Sequence, residues 1–385
     1  MARLLFVTNG HGESAIAARI ATELRALVPA EPLHCDHFPL VGTGADGGAS
    51  AFGAVVGPRR TLPSGGLVAM GNVRALARDV RAGFAGLLVA QLRFLRGARD
   101  YDLRIAVGDV YALGMTLVAG SRPVFVGTAK SVLVSPYGPG ERAVLRRAAR
   151  VFVRDEPTAA GLRRAGIAAE APGNVIVDLG GASAPALPGA WIAILPGSRP
   201  PAYHDALRAA RVLRVLARSG PAAPALLSVA PTLEPTKFSA ELSGDGWTLV
   251  PGPPLRPFRA TSPEGATIEA WTGGLGPLLA ASRLAIGQAG TANEAAAAAG
   301  VPLVVLERRG ERDAWYRMRQ RRLLGDAARL LPEEPAIAAR AIAALLADAA
   351  QLAQMGAIGR ERMGRPGGAR AIALALVKLV RVRAA

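Results

Sequence analysis

The chain has 385 residues, of which 51% are hydrophobic and 5% aromatic, and this length suits two α/β domains better than one hydrophobic core. Its 46 basic and 29 acidic residues leave a formal net charge of +17, which predicts attraction to anionic lipids, nucleic acids or phosphorylated metabolites. The arginines are not interleaved with aromatic residues and no zinc-finger or RNA-binding signature is present, so we expect no nucleic-acid partner.

Strand-length apolar runs recur along the chain, and predicted helices separate them. The predicted strands are residues 4–7, 103–107, 124–126, 151–153, 191–195, 226–229, 284–286 and 303–306. The predicted helices are residues 16–28, 143–149, 158–166, 206–219, 293–299 and 337–353. Strands rich in valine, leucine and isoleucine that alternate with helices indicate βαβ units, so we predict an α/β fold with doubly wound parallel sheets.

Residues 180–189 are small, uncharged and include two prolines. Such a stretch is typical of an interdomain linker. It separates a predicted first domain, residues 1–179, from a predicted second domain, residues 190–355. Both halves begin with an apolar strand that runs into a glycine-containing loop, so we predict two Rossmann-like domains.

The chain offers no sequence candidate for a transmembrane helix. Its longest apolar stretch, around residues 84–92, is far shorter than the roughly 20 residues that span a bilayer. The single cysteine, Cys35, excludes an intramolecular disulfide framework and a cysteine-rich zinc site, which fits a reducing compartment. We therefore expect a cytoplasmic protein without a membrane span.

The strongest local motif is Gly290-Thr291-Ala292-Asn293-Glu294, where a predicted strand ends, a glycine turn follows and a helix begins. One interpretation is structural: Thr291 and Glu294 have the spacing of a capping box that satisfies helix-end amides. The other is functional. Gly290 lets a diphosphate approach the amides of the helix start, and Glu294 accepts hydrogen bonds from ribose hydroxyls. The motif leaves both interpretations open.

A second loop, Gly197-Ser198-Arg199, follows the first strand of the second half, at the edge where open α/β sheets bind ligands. A helix dipole contributes about 0.3–1 kcal/mol, whereas a charge-assisted hydrogen bond contributes about 1.5–3 kcal/mol. Arg199 would therefore hold a diphosphate more strongly than the helix does. The alternative is a surface arginine after an ordinary turn.

The first half has its own candidate edge. Asn9-Gly10-His11-Gly12-Glu13 follows the first strand, and Asp109 follows another. His11 or Asp109 could accept a proton from an acceptor hydroxyl. Equally, His11 could be a polar turn residue and Asp109 a helix cap. The segment 127–131, Gly-Thr-Ala-Lys-Ser, also follows a strand and could shape the same edge.

Basic residues cluster at 59–104, 308–322 and 360–383. The first cluster also carries apolar residues, and a basic amphipathic helix of this kind can lie on an anionic membrane surface. Solvated helix faces are the other explanation for such charge. The sequence does not decide between them.

In this order, the motifs resemble the lipid-A-disaccharide synthase group of GT-B glycosyltransferases, above all its lipid-A-disaccharide synthase-related branch. Residues 9–13 stand where that branch has its N-terminal glycine-rich loop. The run 194–199 is similar to its donor-domain arginine loop, and 290–294 to its nucleotide-binding motif. Gln320 resembles a donor-sugar contact of related peptidoglycan N-acetylglucosaminyl transferases. The opening motif of authentic synthases is shortened here, which leaves the acceptor unidentified.

The resemblance implies two Rossmann-like domains facing each other across a cleft, with residues 356–385 forming a helix that packs back toward the first domain. It implies inverting transfer from a UDP-sugar, without a metal or other cofactor, to a lipid-linked or amphipathic sugar acceptor. A cytoplasmic protein that is peripheral on the inner face of the membrane would suit that acceptor. The donor residues implied are Gly197, Ser198, Arg199, Gly290, Thr291, Ala292, Glu294 and Gln320.

Two alternatives stay open. A UDP-N-acetylglucosamine 2-epimerase-like enzyme would need the donor site but no lipid acceptor. A non-catalytic nucleotide-sugar or lipid-binding protein would bind UDP and transfer nothing. The sequence names neither the sugar, the nucleotide nor the oligomeric state.

Overall fold

The structure is a computed structural model that describes residues 2–29, 33–42, 44, 51–62, 73–179, 187–218, 220, 223–307, 318 and 320–384. The chain forms two compact units. Unit 1 comprises Met1–Asp178 with Pro366–Ala385, and unit 2 comprises Leu179–Arg365.

Within the described residues, unit 1 contains one sheet of seven parallel strands. They are β1 (Ala2–Thr8), β2 (Leu33–Pro39), β3 (Ala54–Val55), β4 (Leu103–Gly108), β5 (Val124–Gly127), β6 (Arg150–Val153) and β7 (Ala169–Glu170). Their order is β3-β2-β1-β4-β5-β6-β7. The central strands are buried throughout most of their length, which explains why they consist of almost continuous apolar runs.

Helices cover this sheet. They are α1 (His11–Leu27), α2 (Val73–Arg81), α3 (Phe84–Gly97), α4 (Val110–Leu117), α5 (Pro139–Leu145), α6 (Glu156–Arg164) and α7 (Val175–Asp178). The C-terminal helix, Gly368–Ala384, packs on α1. Its start is held by the carboxylate of Asp178, which accepts hydrogen bonds from the amides of Gly367 (2.6 Å) and Ala369 (2.7 Å).

Unit 2 contains a sheet of eight strands in its described part. They are β8 (Trp191–Leu195), β9 (Ala225–Ser228), β10 (Thr248–Pro251), β11 (Phe258–Thr261), β12 (Thr267–Trp271), β13 (Ser282–Gly287), β14 (Leu303–Leu306) and β15 (Ala328–Leu331). The order is β10-β11-β12-β9-β8-β13-β14-β15. An antiparallel meander, β10 to β12, extends a parallel sheet at one edge.

The helices of unit 2 alternate with these strands. They are α8 (Pro201–Arg218), α9 (Pro235–Gly244), α10 (Leu275–Ala280), α11 (Thr291–Ala299), α12 (Pro335–Ala347) and α13 (Ala349–Met363). A further helical turn runs over residues 320–324. Two α/β sheets of mainly parallel strands confirm the predicted fold class, and each of the eight predicted strands overlaps an observed one.

Some predicted boundaries differ from the structure. The single helix predicted at 337–353 is two helices, because Asp348 caps α13: its Oδ1 accepts a hydrogen bond from the amide of Gln351 at 2.9 Å. The chain passes from unit 2 to unit 1 after Arg365, ten residues later than the predicted boundary at 356, since α13 continues to Met363 and packs on α11. Most of the predicted linker (180–186) and of the basic cluster at 308–322 (308–317 and 319) lies outside the described residues.

Helices α11 and α13 approach each other closely because α13 carries glycines at the contact. A Cβ atom on Gly356 would lie 2.4 Å from the carbonyl oxygen of Gly300, and one on Gly359 would lie 2.6 Å from that of Ala297. Distances this short are repulsive for carbon and oxygen. Because the obstacle is backbone, a side chain could be accommodated only if the two helices moved apart.

We therefore expect Gly356→Ala to destabilise unit 2 by about 1–3 kcal/mol, the usual range for an overpacked core site. The matched control is Gly244→Ala at the end of α9, where an added Cβ would meet no atom within 4 Å. That substitution should be neutral or stabilise by about 0.5–1 kcal/mol, because alanine has the better helix propensity. Thermal unfolding followed by circular dichroism checks both, and equal melting temperatures for the two variants would contradict the close-packing argument.

Candidate functional site

The strand order of unit 2 reverses beside β8. The chain continues from β8 to β9 on one side, whereas β13 pairs with β8 on the other. In open α/β sheets the crevice at such a reversal, at the carboxyl ends of the strands, is where ligands bind. Here the carbonyl oxygen of Leu195 accepts hydrogen bonds from the amides of Gln288 (2.9 Å) and Ala289 (3.2 Å). The loops after β8 and β13 are thereby joined, so the structure brings the two predicted donor loops together.

The loop after β8 needs a glycine and exposes an arginine. Gly197 has φ +114°, a conformation that residues with a side chain rarely adopt. The carbonyl oxygen of Ser198 accepts a hydrogen bond of 2.9 Å from Oγ1 of Thr232, which belongs to the segment after β9. Arg199 follows with an exposed side chain. The loop is therefore braced by its neighbour, while its cation faces solvent.

Helix α11 begins at Thr291 with Gly290 as its N-cap, and no side chain hydrogen-bonds the cap in this described segment. The capping-box interpretation of Thr291 and Glu294 is therefore wrong: Thr291 is already the first helical residue, and the N-cap is a glycine, which has no side chain to donate or accept. The first amides of a helix have no partner within it. Those of Thr291 and Ala292 lie beside the loop that carries Arg199.

Packing around Asn293 explains why β13 ends in a glycine, the residue without a side chain. Asn293 is fully buried, and a Cβ on Gly287 would lie 2.1 Å from its Oδ1, so Gly287 must lack a side chain. Glu294, one residue further along α11, is half-buried. The side chain of Gln288 donates a hydrogen bond of 2.8 Å to the carbonyl oxygen of Leu306, which ties the end of β14 to the same loop.

Gln320 lies in unit 2 at 5% exposure, and its Oε1 has no hydrogen-bond partner in the described parts of the chain. Buried amide oxygens normally have one. The role of Gln320 in a donor site stays a prediction.

In unit 1 the strand order reverses in the same way at β1, which lies between β2 and β4. Helix α1 starts at His11 with Gly10 as its N-cap, so residues 9–12 sit at the carboxyl end of β1. A Cβ on Gly108, at the end of β4, would lie 2.0 Å from Oδ1 of Asn9, and one on Gly10 would lie 2.2 Å from Oε2 of Glu13. Asn9, Glu13 and Asp109 therefore converge on two adjacent strand ends, as predicted for an edge site.

Asp109 is the N-cap of α4. Its Oδ1 accepts hydrogen bonds from the amides of Tyr111 (2.9 Å) and Ala112 (3.2 Å), which confirms the helix-cap interpretation. Both bonds use the same carboxylate oxygen. Burial, and next the charge of Asp109, raise the pKa of Tyr111 to about 12, so this phenol stays protonated at neutral pH.

The two candidate bases lie on opposite sides of β1. A Cβ on Gly42 would lie 2.9 Å from Cε1 of His11, so the imidazole contacts the segment that follows β2. Asp109 instead follows β4. Each can serve an edge site, but they face different flanks of it.

Sequence reasoning missed a buried polar set beneath the loop 9–12. Oγ1 of Thr8 lies 2.9 Å from Nε2 of His37 and 3.0 Å from Oγ of Ser14, which donates to the carbonyl oxygen of Gly10 at 3.0 Å. The His37 ring stacks on Phe52, with centroids 4.7 Å apart. These bonds hold the start of α1 in place. The only signal in the sequence was Ser14, four positions after Gly10. His37 gave none, because β2, the strand that carries it, was not predicted.

Two further tests concern the described residues alone. No group of three or more His, Cys, Asp or Glu side chains is arranged to hold a metal ion there. No single helix in these ranges is long and apolar enough to cross a membrane, although the bent pair Pro335–Ala347 and Ala349–Val382, with a 93° angle, passes on length and composition.

No protein-family model and no curated protein matches the sequence. Solved structures do match the fold. The calicheamicin glycosyltransferase CalG4 has a TM-score of 0.62 at 17% identity, with 99% of each chain covered. A Staphylococcus aureus MnaA-UDP co-structure has a TM-score of 0.63 at 11% identity, covering 99% of this chain and 98% of that one.

A putative UDP-N-acetylglucosamine 2-epimerase from Listeria monocytogenes has a TM-score of 0.58 at 14% identity, covering 98% of this chain and 95% of that one. Identities this low establish a common fold and nothing finer. The chain therefore has two α/β sheets of mainly parallel strands, of the kind found in GT-B glycosyltransferases, and the match covers 99% of its length.

Proposed function

We propose that this protein is a glycosyltransferase whose unit 2 binds a UDP-sugar. The observation that carries the proposal is the junction at Leu195, which joins the Arg199 loop to the uncapped start of α11 at the reversal of strand order. The diphosphate would lie near Ser198, Arg199, Gly290 and Thr291. This is the crevice in which open α/β sheets bind nucleotides.

The charges at this edge suit a nucleoside diphosphate. Amides at the start of α11 and the guanidinium of Arg199 both attract an anion. Glu294 would repel phosphate but accept hydrogen bonds from the two ribose hydroxyls, as acidic residues do in dinucleotide sites. Arg199 and the helix start would also stabilise the departing diphosphate, which is the task a metal performs in other transferases. No cofactor is needed for this step.

On unit 1 we place the acceptor. Asp109 or His11 would take the proton from an acceptor hydroxyl, whose oxygen then bonds to the anomeric carbon from the face opposite the diphosphate. The bond between that carbon and the diphosphate oxygen breaks, UDP leaves, and the configuration is inverted. The lipid-linked or amphipathic nature of the acceptor, and the likeness to lipid-A-disaccharide synthases, are part of this proposal.

A second candidate is supported by a fold neighbour: the Listeria protein described as a putative UDP-N-acetylglucosamine 2-epimerase covers nearly the same length. An enzyme of that kind would convert a UDP-sugar with no acceptor present. A protein that only binds nucleotide sugars or lipids would bind UDP and turn over nothing. These three cases differ in simple assays.

For the donor site, Arg199→Ala should weaken UDP binding by about 10- to 100-fold, equivalent to one or two charge-assisted hydrogen bonds. It should leave uridine binding unchanged, since uridine has no phosphate. Glu294→Gln should weaken UDP and uridine alike. Isothermal titration calorimetry measures both ligands, with Arg340→Ala as the control because this arginine is an exposed residue of α12. Unchanged UDP affinity in both Arg199→Ala and Glu294→Gln would refute the donor assignment.

For the acceptor side, a substitution of Asp109 can separate its role as helix cap from its proposed role as general base. Asparagine caps helices about as well as aspartate, whereas alanine loses about 1 kcal/mol. Asp109→Asn should therefore keep the melting temperature while transfer falls by about 100-fold or more, if Asp109 is the base. The assay is a screen of radiolabelled UDP-sugars against membrane lipid extracts. The variant His11→Gln is tested in the same screen as the counterpart of Asp109→Asn.

Each outcome of that screen has a meaning. Loss of transfer only in His11→Gln would make His11 the base. Conversion of a UDP-sugar without acceptor, insensitive to Asp109→Asn, would favour the epimerase. Binding of UDP without turnover in the wild type would leave a binding protein.

The α2–α3 region, residues 73–99, has the features of a membrane-contact surface. Its exposed arginines are Arg78, Arg81, Arg93, Arg96 and Arg99. Val80 and Val89 are 49% and 46% exposed beside them, and Asp79 is buried. Each arginine near an anionic bilayer contributes about 1 kcal/mol. We propose that this region brings the protein to the inner face of the membrane, where an amphipathic acceptor would be.

Sedimentation with vesicles that contain anionic lipid, at low salt, tests this surface. Arg93→Glu with Arg96→Glu should reduce vesicle binding by about tenfold or more, since two attractive charges become repulsive. The control pair, Arg329→Glu with Arg340→Glu, makes the same charge change at exposed residues of unit 2. Equal losses in the two pairs would assign binding to net charge alone, and absence of wild-type binding would end the membrane proposal.

A further inference from the structure

Five buried polar side-chain atoms in the described part of unit 1 have no hydrogen-bond partner, and three of them belong to the segments that follow β1 and β5. These three are Oδ1 of Asn9, Oγ1 of Thr128 and Oη of Tyr137. Most buried polar atoms in proteins are hydrogen-bonded, so each exception needs an explanation. The segment 127–131, which contains Thr128, has no role in the mechanism proposed above.

Oδ1 of Asn9 and Oη of Tyr137 lie over two neighbouring glycines, and Thr128 follows the second of them in the chain. Gly108 and Gly127 are direct partners in the pairing of β4 with β5, and the amide of Thr128 donates a 3.0 Å hydrogen bond to the carbonyl oxygen of Gly108. A Cβ on Gly127 would lie 2.5 Å from Oη of Tyr137, just as one on Gly108 would lie 2.0 Å from Oδ1 of Asn9. Paired residues of adjacent parallel strands point to the same face. Asn9 and Tyr137 therefore meet on one face of one patch, the Gly108–Gly127 patch.

The charges around Tyr137 do not favour an anion. Burial, and then the carboxylates of Glu141, Asp109 and Asp155, raise its pKa above the ordinary value, and Arg154 opposes them. The phenol is therefore neutral and can donate. Lys130, which lies 5.8 Å from the Tyr137 ring centroid, is already paired with Glu141 at 2.6 Å. Arg154 likewise lies 3.9 Å from Asp155, so both cations already have a carboxylate partner.

The segment between β5 and α5 supplies apolar surface at the same edge. Val132 and Leu133 are 37% and 44% exposed, and they belong to the loop that leads from Thr128 to Tyr137. The amide of Val132 is held by Oγ1 of Thr158 at 3.0 Å, so the pair is presented on a braced turn. Neutral hydrogen-bonding groups thus lie next to exposed aliphatic side chains.

We propose that the Gly108–Gly127 patch binds an uncharged, hydroxyl-bearing part of the acceptor through Asn9, Thr128 and Tyr137, and that the acceptor is a neutral amphipathic alcohol. The idea rests on the glycosyltransferase proposal, because it names the substrate class of its acceptor side. The three atoms are shielded from solvent, so the loop 128–138 has to shift when the ligand enters. In this proposal the basic residues of the chain bind the donor diphosphate and the membrane, and they do not contribute to the Gly108–Gly127 patch.

Tyr137→Phe tests the patch with two probes of equal chain length: n-octyl β-D-glucoside at submicellar concentration, and n-octyl phosphate. In ligand-observed NMR titrations of the full chain, the wild type should bind the glucoside, and Tyr137→Phe should change the binding of the phosphate less than that of the glucoside. Tyr137→Phe should weaken glucoside binding by about 3- to 10-fold, the effect of one lost neutral hydrogen bond. Its melting temperature should be equal or higher, because an unsatisfied buried hydroxyl is removed.

The matched control is Tyr101→Phe. Tyr101 is a buried tyrosine of the same unit, but its hydroxyl donates a 2.7 Å hydrogen bond to Asp36. Its loss should lower the melting temperature and leave glucoside binding unchanged, the reverse of Tyr137→Phe. No glucoside binding, equal glucoside binding by Tyr137→Phe and the wild type, or a larger effect of Tyr137→Phe on octyl phosphate than on the glucoside would each overturn the inference. UDP affinity, measured alongside, should not change in either variant, and a wild type that fails to bind UDP would refute the donor proposal separately.

Discussion

The carbonyl oxygen of Leu195 holds the donor edge of unit 2 together by accepting hydrogen bonds from the amides of Gln288 and Ala289. Two βα loops that are far apart in the chain become neighbours there, because β8 has β9 on one side and β13 on the other. In our proposal, the exposed cation of Arg199 and the first amides of α11 bind the same diphosphate only because this junction exists. Every step proposed for the nucleotide depends on that juxtaposition.

At the carboxyl edges of both sheets, glycines are required because they leave space for other side chains, and not because they make the backbone flexible. At the end of β13, Gly287 makes room for the buried side chain of Asn293. At the ends of β4 and β5, Gly108 and Gly127 leave space for an amide and a phenol directly above the backbone. A glycine at a strand end is thus a place where another side chain is accommodated. In both units the accommodated side chains, Asn293, Asn9 and Tyr137, carry a buried polar atom that has no hydrogen-bond partner in the described parts of the chain.

Much of the fold could be predicted because parallel strands buried on both faces must be continuous apolar runs. β2 and β12 were missed for the same reason: β2 carries His34, Asp36 and His37, and β12 alternates polar with apolar residues. The loops after β8 and β13 could be located because each follows an apolar run and contains glycine, while their binding of a donor stays a prediction. The capping box failed because the spacing of Thr291 and Glu294 is right, but the helix begins one residue earlier than that motif requires.

By itself, the sequence determined the two α/β halves, the strands that form their centres and the loops at their carboxyl ends, since these depend on local hydrophobicity and on backbone preferences. It left open what each polar side chain contacts. Tertiary structure alone decided that Asp109 caps α4, that His11 turns to the segment after β2 and that Tyr137 lies over Gly127. The physical reason is that a hydrogen bond or a charge acts over a few ångströms, and the strand order decides which residues come within that distance.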